Sequence, residues 1–326
     1  MTIAFYMNCV STHQLPLARE LARRVDELVY VYEGLSSQEY QRAEYEGATR
    51  NREILEKADV VYSGLRDVDL FERRARKGLT TFYTSERWFK PRLGALRMLI
   101  PQYRKMAKRF AAWANGDPRA RILAIGPWAR QDFLRMKVDS AKIVSWGYFV
   151  SPGNASVTSR YSESDTMFKP GSEQPMMPMR VLWAGRDLPW KRVRDIECAV
   201  ERANQCLARS LGGVGPWITF TKMTGVTPSE VREAMRLHDV YVLASDAQEG
   251  WGCVLNEALE ENMSALGTYE AGASSAMLPA SRLYHAGDVK ALAGLLEKSY
   301  FGMLPRCSIG EWTAEHASNK LMDMLK

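Results

Sequence analysis

The stretch that decides the fold is EGWGCVLNE, which runs from Glu249 to Glu257. It follows an apolar, β-rich run, Asp239–Ser245, of the kind that forms a buried parallel strand. It leads into a run of good helix formers, Val254–Asn262, which predicts a helix. The two glycines between them let backbone N–H groups at the helix start approach an anion closely. A strand, a glycine turn and a helix in this order are typical of a phosphate site in an α/β fold.

Two carboxylates flank this turn. Glu249 precedes it and Glu257 lies about one helical turn inside the predicted helix. Ionised carboxylates only accept hydrogen bonds, so they suit ligands that present hydroxyl groups. The pattern therefore indicates a sugar or a ribose beside the anion site.

Strands and helices alternate along the rest of the chain, which predicts parallel sheets covered on both faces. With 326 residues, the chain is long enough for two domains of ordinary size. We expect a Rossmann-like domain at residues 1–155 and a second α/β domain at 179–308. Residues 156–178 are rich in Ser, Pro and Met and are interpreted as a linker or loop. A last helix is expected within 309–326.

Composition excludes several classes of protein. Hydrophobic residues make up 46% and charged residues 25%, which is typical of a soluble globular protein. There is no apolar run long enough to span a membrane, and the N-terminus lacks the basic leader of a signal peptide, so a cytoplasmic location is expected. The five cysteines lack metal-binding spacing, which favours reduced thiols. The first strand is not followed by G-x-G-x-x-G, which argues against NAD binding.

Positive charge is concentrated in the first half. Residues 1–170 contain 28 Lys and Arg against 19 Asp and Glu, a net +9, and residues 171–326 contain 16 against 19, a net −3. The segment 87–110 has eight basic residues, no acidic ones and many interleaved apolar ones. It fits an amphipathic helix on an anionic membrane, or a buried helix with a solvated basic edge. No nucleic-acid-binding module accompanies it, so no nucleic-acid partner is expected.

Two further loops follow predicted strands of the second half. The loop Gly185–Lys191 carries Arg186 and Lys191, cations that suit an anionic ligand, although a solvated basic loop explains them equally well. The loop 224–230 offers the backbone of Gly225 and Val226 to a nucleotide base. Its other interpretation is a helix cap, made by Thr227 or Ser229 with Glu230 in the first turn.

Taken in order, these three loops resemble the donor domain of the retaining glycosyltransferases of family 4, which have the GT-B fold. The resemblance covers the second half of the chain, from Met179 to roughly its end. Its most specific part is the pair of glutamates around Gly-Trp-Gly, known as the EX7E motif. It implies a GT-B fold, with two Rossmann-like domains that face each other across a cleft.

The resemblance also implies roles for single residues. Arg186 and Lys191 match the pair that neutralises the donor diphosphate, Glu249 the acid beside the transferred sugar, and Glu257 the acid that accepts hydrogen bonds from the ribose. We take Arg186, Lys191 and Glu249 as catalytic. The donor-binding residues are then Gly185, Gly225, Val226, Gly250, Trp251, Gly252, Cys253, Val254 and Glu257, with the amides of Gly252 to Val254 at the phosphates.

The implied reaction moves a sugar from a nucleotide-diphosphate sugar to a hydroxyl acceptor with retention of configuration. A UDP-sugar is the favoured donor and GDP-mannose is an alternative. No metal or other cofactor is expected, because two cations can replace a divalent ion at the leaving diphosphate. Two other functions stay open: a GT-B nucleotide-sugar epimerase, and a non-catalytic nucleotide-sugar-binding or membrane-docked assembly protein.

In this family the first domain binds the acceptor, and the last helix crosses back onto that domain. His13 and Glu86 follow the first and fourth predicted strands and are candidate acceptor contacts. Many relatives have a histidine near the fourth strand end, so Glu86 is a departure that puts the acceptor type in doubt. Either residue could instead be a capping or core residue. The acceptor could be a lipid-linked glycan at the membrane surface that 87–110 would contact, a surface polysaccharide precursor or a small metabolite.

Overall fold

The computed structural model describes residues 1–34, 44–90, 94–150, 178–212 and 215–326. The chain divides into two units: Met1–Ser151 together with Glu311–Lys326, and Pro152–Gly310. The linker expected at 156–178 lies outside the described residues, apart from Pro178.

The first unit is built on a parallel sheet of six strands in the order β2-β1-β3-β4-β5-β6. Its strands are β1 Thr2–Met7, β2 Glu27–Tyr32, β3 Val60–Ser63, β4 Thr80–Ser85, β5 Ala120–Ile125 and β6 Ile143–Trp146. Its helices are α1 Leu15–Ala22, α2 Val68–Arg76, α3 Pro101–Gly116, α4 Pro127–Arg135 and α10 Ala314–Asp323, with 3₁₀ turns at Arg52–Glu56, Gly94–Leu99 and Ser140–Lys142.

The second unit has a parallel sheet of five strands in the order β11-β10-β9-β7-β8. Its strands are β7 Met179–Ala184, β8 Ile218–Met223, β9 Val240–Leu243, β10 Ser264–Thr268 and β11 Leu283–Tyr284. Its helices are α5 Val193–Leu211, α6 Pro228–Leu237, α7 Val254–Glu260, α8 Gly272–Met277 and α9 Val289–Tyr300, with 3₁₀ turns at Pro189–Lys191 and Ala280–Arg282.

The central strands are buried on both faces, because helices cover both sides of each sheet. In β9 all four residues are buried, and in β1 only Thr2 is not. Such strands read as continuous apolar runs rather than as alternating ones, which is why the sequence shows them clearly. Both units are therefore the parallel α/β domains that the sequence predicted.

Each sheet has one point at which the connections run in opposite directions. In the first sheet this is between β1 and β3, and in the second between β7 and β9. The loops that leave such neighbouring strands diverge to opposite faces and leave a crevice at their carboxyl ends. Ligand sites in open α/β sheets form there, so these two points are where functional side chains are expected.

The C-terminal helix α10 belongs to the first unit, where it packs against α1. The guanidinium of Arg24 donates a hydrogen bond to the side-chain carbonyl of Asn319. A backbone bridge joins Val150 to Thr313, the residue whose side chain caps α10. The last residues of the chain thus complete the domain formed by its first ones.

The basic segment 87–110 is not one helix. Trp88 and Phe89 are buried, a 3₁₀ turn follows at Gly94–Leu99, and α3 starts at Pro101, where a proline fits the first helical turn. A single amphipathic helix over 87–110, which both interpretations of this segment assumed, was therefore wrong, and Trp88 and Phe89 belong to the core. Within the described residues, no helix combines the length and apolarity that crossing a membrane requires.

Candidate functional site

The loops that follow β7 and β9 meet at the switch point of the second sheet. Leu182 pairs with Tyr241, so the two strands end at the same edge. Beyond that edge, the backbone N–H of Asp246 donates to the carbonyl of Trp190 over 2.8 Å. This bond ties the loop with the predicted cations to the loop with the predicted acids.

Lys191 and Glu249 form an ion pair at this junction. Their side chains are only 18% and 15% exposed, so the pair is largely shielded from water. The hydroxyl of Ser245 donates to the same carboxylate oxygen over 3.0 Å. Two residues that lie 58 positions apart in the sequence are thus brought into direct contact, and Glu249 is held in one orientation.

Arg186 lies on the same loop as Lys191, and it is exposed. Gly185, the residue after β7, donates its backbone N–H to the carbonyl of Met223 over 3.0 Å. The backbone turns left-handed at Arg192, with a φ of 49°, immediately after Lys191. That conformation costs a residue with a side chain about 1–2 kcal/mol. No pattern in the sequence predicted it.

The turn of the EGWGCVLNE stretch packs closely against the end of β9 and the start of α8. Gly252 has a φ of 99°, and a Cβ there would lie 2.8 Å from the side chain of Leu243. Gly272, the first residue of α8, lies against the backbone of this turn. A Cβ added there would lie 2.3 Å from the carbonyl oxygen of Gly250. Only glycine fits at either position.

Trp251 anchors this turn through its side chain. Its indole is 1% exposed and donates to the side-chain carbonyl of Asn256 over 2.7 Å. Trp251 was predicted to bind the donor, and its backbone remains at the turn, but its ring belongs to the core. The following helix α7 begins at Val254 and has only seven residues, and its N-cap residue Cys253 makes no side-chain cap.

Glu257 is partly buried on α7, and burial raises the pKa of its carboxyl above the usual range. Arg232 on α6 acts against this rise, while Glu260 and Glu261 add to it. Arg232 itself donates to Glu260 over 2.7 Å and to Glu261 over 3.0 Å. Sequence reasoning missed this arginine, because nothing in the chain indicates that α6 faces α7.

Tyr241 connects the parts of the site. Its buried hydroxyl donates to the carbonyl of Ala184, at the end of β7, over 3.4 Å. Burial raises the pKa of this hydroxyl, and the charges of Glu249 and Glu257 raise it further. Both acids of the motif therefore lie near the same phenol, next to the start of the Gly185–Lys191 loop.

The loop after β8 reaches the same edge of the sheet, because β8 pairs with β7. Gly225 has a φ of 69° and Val226 is exposed. Thr227 caps α6 and forms a capping box with Glu230. Of the two residues that could have capped this helix, the cap is therefore Thr227 and not Ser229. The backbone of Gly225 and Val226 remains accessible beside this cap.

In the first unit, His13 and Glu86 belong to one cluster. The ring centre of His13 lies 5.6 Å from that of Tyr148, whose hydroxyl donates to Glu86 over 3.2 Å. Lys90 donates to the other oxygen of Glu86 over 3.1 Å. Burial lowers the pKa of the His13 imidazole, and the charge of Glu86 partly opposes this. Neither residue caps a helix, since Gln14 is the N-cap of α1.

The segment that carries Glu86 is fixed from the core. Asp132 on α4 is fully buried and accepts a hydrogen bond from the backbone N–H of Phe89 over 3.0 Å. Burial raises the pKa of this carboxyl, while the bond from Phe89 and the charge of Arg87 lower it. The loop after β4 is therefore held in place without using Glu86.

All five cysteines are free thiols in the structure. Among the residues that the structure describes, no three His, Cys, Asp or Glu side chains are grouped closely enough to hold a metal ion. At the β7/β9 edge the structure places the cations Arg186 and Lys191 on the loop after β7, and Glu249 on the loop after β9 in an ion pair with Lys191. Sequence reasoning did not find five residues that contact or lie next to the predicted site residues: Ser245, Tyr241, Arg232, Gly272 and Tyr148.

Comparison with known proteins gives similarity in structure alone. No protein-family model matches the chain, and no curated protein matches it. The lipopolysaccharide outer core galactosyltransferase WaaB in its apo form is 15% identical over 100% of this chain and 99% of that chain, with a TM-score of 0.62. Anabaena Alr3699/HepE in complex with UDP is 14% identical over 100% and 96%, with a TM-score of 0.59.

A glycosyltransferase from Rickettsia africae ESF-5 is 13% identical over 100% of this chain and 98% of that chain, with a TM-score of 0.60. These similarities extend over both units of the chain rather than one of them. At such low identity they establish architecture and not activity. The chain has the GT-B fold, with two Rossmann-like α/β domains.

Proposed function

We propose that this protein is a retaining glycosyltransferase of the EX7E type that moves a sugar from a nucleotide-diphosphate sugar to a hydroxyl acceptor. A UDP-sugar is the favoured donor, which agrees with the UDP held by the structurally similar HepE. GDP-mannose is the second donor to test. In this proposal the second unit binds the donor and the first unit the acceptor.

The observation that carries the proposal is the shielded Lys191–Glu249 pair at the β7/β9 switch point. The pair lies where ligand sites of open α/β sheets form, beside the glycine turn of the motif. A nucleotide sugar presents a diphosphate and sugar hydroxyls side by side. Lys191 has three N–H donors, so it can hold Glu249 and still donate to a phosphate.

The chemistry then follows from charge. The bond between the anomeric carbon and the diphosphate oxygen breaks, and the leaving oxygen gains negative charge. Arg186 and Lys191 stabilise that charge, which is the largest contribution that a fixed site can make. Because α7 is only seven residues long, these two cations carry most of the stabilisation. Glu249 accepts hydrogen bonds from the sugar and Glu257 from the ribose.

The acceptor oxygen bonds to the anomeric carbon on the face that the diphosphate leaves. Its proton passes to the departing phosphate oxygen, so no protein nucleophile is needed. The product then has the same anomeric configuration as the donor. Proton NMR of the product reports this configuration directly, and an inverted anomer would refute the mechanism.

A panel of nucleotide sugars tests the function. Incubation with UDP-, GDP-, ADP- and TDP-sugars is expected to release nucleoside diphosphate from one of them, slowly with water and faster with an acceptor. Lys191→Ala is expected to lower this rate roughly 10²–10³-fold, the usual effect of removing one donor that stabilises a developing charge. Lys298→Ala, an exposed lysine on α9, is the matched control and should leave the rate unchanged.

The same assay separates the alternatives. Nucleotide binding without release of diphosphate from any donor would favour a non-catalytic binding protein. Conversion of the donor into its epimer would favour an epimerase. Because the proposal requires no metal, EDTA should leave the rate within about twofold. A complete loss restored by Mg²⁺ or Mn²⁺ would contradict that part.

The acceptor is proposed to contact the cluster of His13, Glu86 and Tyr148. Burial lowers the pKa of the His13 imidazole and so favours its neutral form, in which one ring nitrogen can donate a hydrogen bond to a hydroxyl and the other can accept one. Close by in sequence, Leu96, Leu99 and Ile100 are exposed next to exposed basic residues of α3. This surface supports docking on an anionic membrane, and hence a lipid-linked glycan as acceptor.

A further inference from the structure

A cavity of about 620 Å³ opens in the first unit, at the β1/β3 switch point of its sheet. Tyr6 on β1 pairs with Ser63 on β3 and with Val31 on β2. The residues that follow these strands therefore come together at one edge. Cavities of this size in that position commonly hold small ligands. None of the site residues discussed above lines it.

One wall of the cavity is a fixed network of hydrogen-bond acceptors. The hydroxyl of Tyr6 donates to Glu33, and Arg52 pairs with both Glu33 and Asp67. The guanidinium carbon of Arg52 lies 5.5 Å from the centre of the Tyr6 ring. Asp67 is fixed a second time, because it caps α2 through the N–H of Leu70 over 3.0 Å. Carboxylates held in this way can accept hydrogen bonds from ring hydroxyls without first being ordered.

The cavity also contains positive charge that the described residues do not neutralise. Arg66 and Lys105 line it, and no carboxylate of the described ranges lies within 4.0 Å of either. Arg109, on the same lining, is by contrast bound by Asp69 and Glu72. Arg66 is held over the ring of Trp88, with 4.3 Å from its guanidinium carbon to the ring centre. A planar guanidinium fixed by stacking is suited to phosphate or carboxylate oxygens.

We propose that this cavity binds an anionic saccharide, a sugar that carries a phosphate or carboxylate group. The ring hydroxyls contact Glu33 and Asp67, and the anion lies on Arg66 and Lys105. The inference rests on the proposed function and names the chemical class of its acceptor. One contact connects the cavity with the segment that carries Glu86: Arg66, which lines the cavity, stacks on Trp88, two residues beyond Glu86.

Calorimetric titration of the full chain with matched pairs of sugars tests the proposal. The pairs are glucose with glucose 6-phosphate, glucose with glucuronate, and N-acetylglucosamine with its 6-phosphate. In at least one pair the anionic member is expected to bind roughly tenfold more tightly, with an advantage that shrinks as salt is added. Inorganic phosphate alone should bind more weakly than the sugar phosphate, because it lacks the hydroxyls.

Two variants connect the preference to the cavity. Arg66→Met with Lys105→Met keeps the side-chain stems and should abolish the anionic advantage. Glu33→Gln should weaken both members of a pair to a similar extent. Lys57→Met, an exposed lysine of the same unit outside the cavity, is the control and should change neither. The proposal is overturned if no anionic member binds more tightly, or if the double variant keeps the preference.

UDP binding and diphosphate release, measured on the same variants, keep this test separate from that of the proposed function. Release of diphosphate without any preference for anionic sugars refutes the cavity proposal alone. Anionic sugar binding without turnover of any nucleotide sugar refutes the proposed function and leaves the cavity as a binding site. Tighter binding of the anionic member in the phosphate pairs only would show that the cavity accepts phosphate. The same result in the glucuronate pair would show that it accepts carboxylate as well.

Discussion

At the scale of single residues, Glu257 couples donor binding to pH. Burial raises the pKa of its carboxyl, which favours the protonated form. Only the ionised form is a pure acceptor for the ribose hydroxyls. Affinity for UDP-glucose is therefore expected to rise with pH through this raised pKa. Titration between about pH 5 and 8 measures it, since the diphosphate diester does not change charge there.

The same shift predicts the opposite trend for stability without ligand. A carboxyl whose pKa is higher in the folded than in the unfolded protein stabilises the fold below the unfolded pKa. This contribution is lost as pH rises through the folded pKa, by at most about 1.4 kcal/mol per pH unit. Wild type should therefore lose stability relative to Glu257→Gln as pH rises, in urea unfolding. A constant difference between the two proteins would show that the pKa of Glu257 is not raised.

At the scale of elements, the turn of the donor motif depends on a glycine outside the motif. Gly272→Ala would bring a methyl group against the carbonyl of Gly250, and backbone atoms cannot move aside as side chains do. We expect a loss of about 1–3 kcal/mol in the free energy of unfolding, together with weaker UDP binding. Urea unfolding and UDP titration measure both quantities.

Gly294→Ala is the matched control for this prediction. Gly294 lies inside α9, and apart from its two chain neighbours and the adjacent backbone of the same helix, no atom lies within 4 Å of a Cβ built there. Because alanine is the better helix former, this variant should gain up to about 1 kcal/mol and bind UDP normally. If Gly272→Ala is as stable as wild type, the close approach of α8 to the turn does not exist in solution.

The elements that sequence predicted well are those whose signal is local. The buried strand β9, the glycine turn and α7 follow each other along the chain, so apolar runs and glycine spacing were sufficient. The contacts of Gly272 and Tyr148 are different, because they join segments far apart in sequence. Local patterns contain no information on which segments meet. The interruption before α3 was also missed, although Pro101 marks it.

At the scale of the whole molecule, the uneven charge predicts attraction to anionic surfaces. The exposed basic residues of α3 include Arg104 and Lys108, and they lie beside Leu96, Leu99 and Ile100, which are 63%, 78% and 40% exposed. A surface that combines cations with protruding apolar side chains suits the boundary between headgroups and acyl chains. We therefore expect the protein to sediment with vesicles that contain anionic lipid and not with neutral ones.

Variants separate the electrostatic part of membrane binding from the apolar part. Arg104→Gln with Lys108→Gln should weaken binding roughly 30-fold at low salt, since each basic residue near an anionic surface contributes about 1 kcal/mol. Leu96→Ser with Leu99→Ser should weaken it at every salt concentration, because apolar contact is not screened. Leu237→Ser is the control, because this leucine is 48% exposed on the second unit and should not matter. Equal recovery with neutral and anionic vesicles would contradict membrane docking, and UDP affinity should stay constant in all three variants.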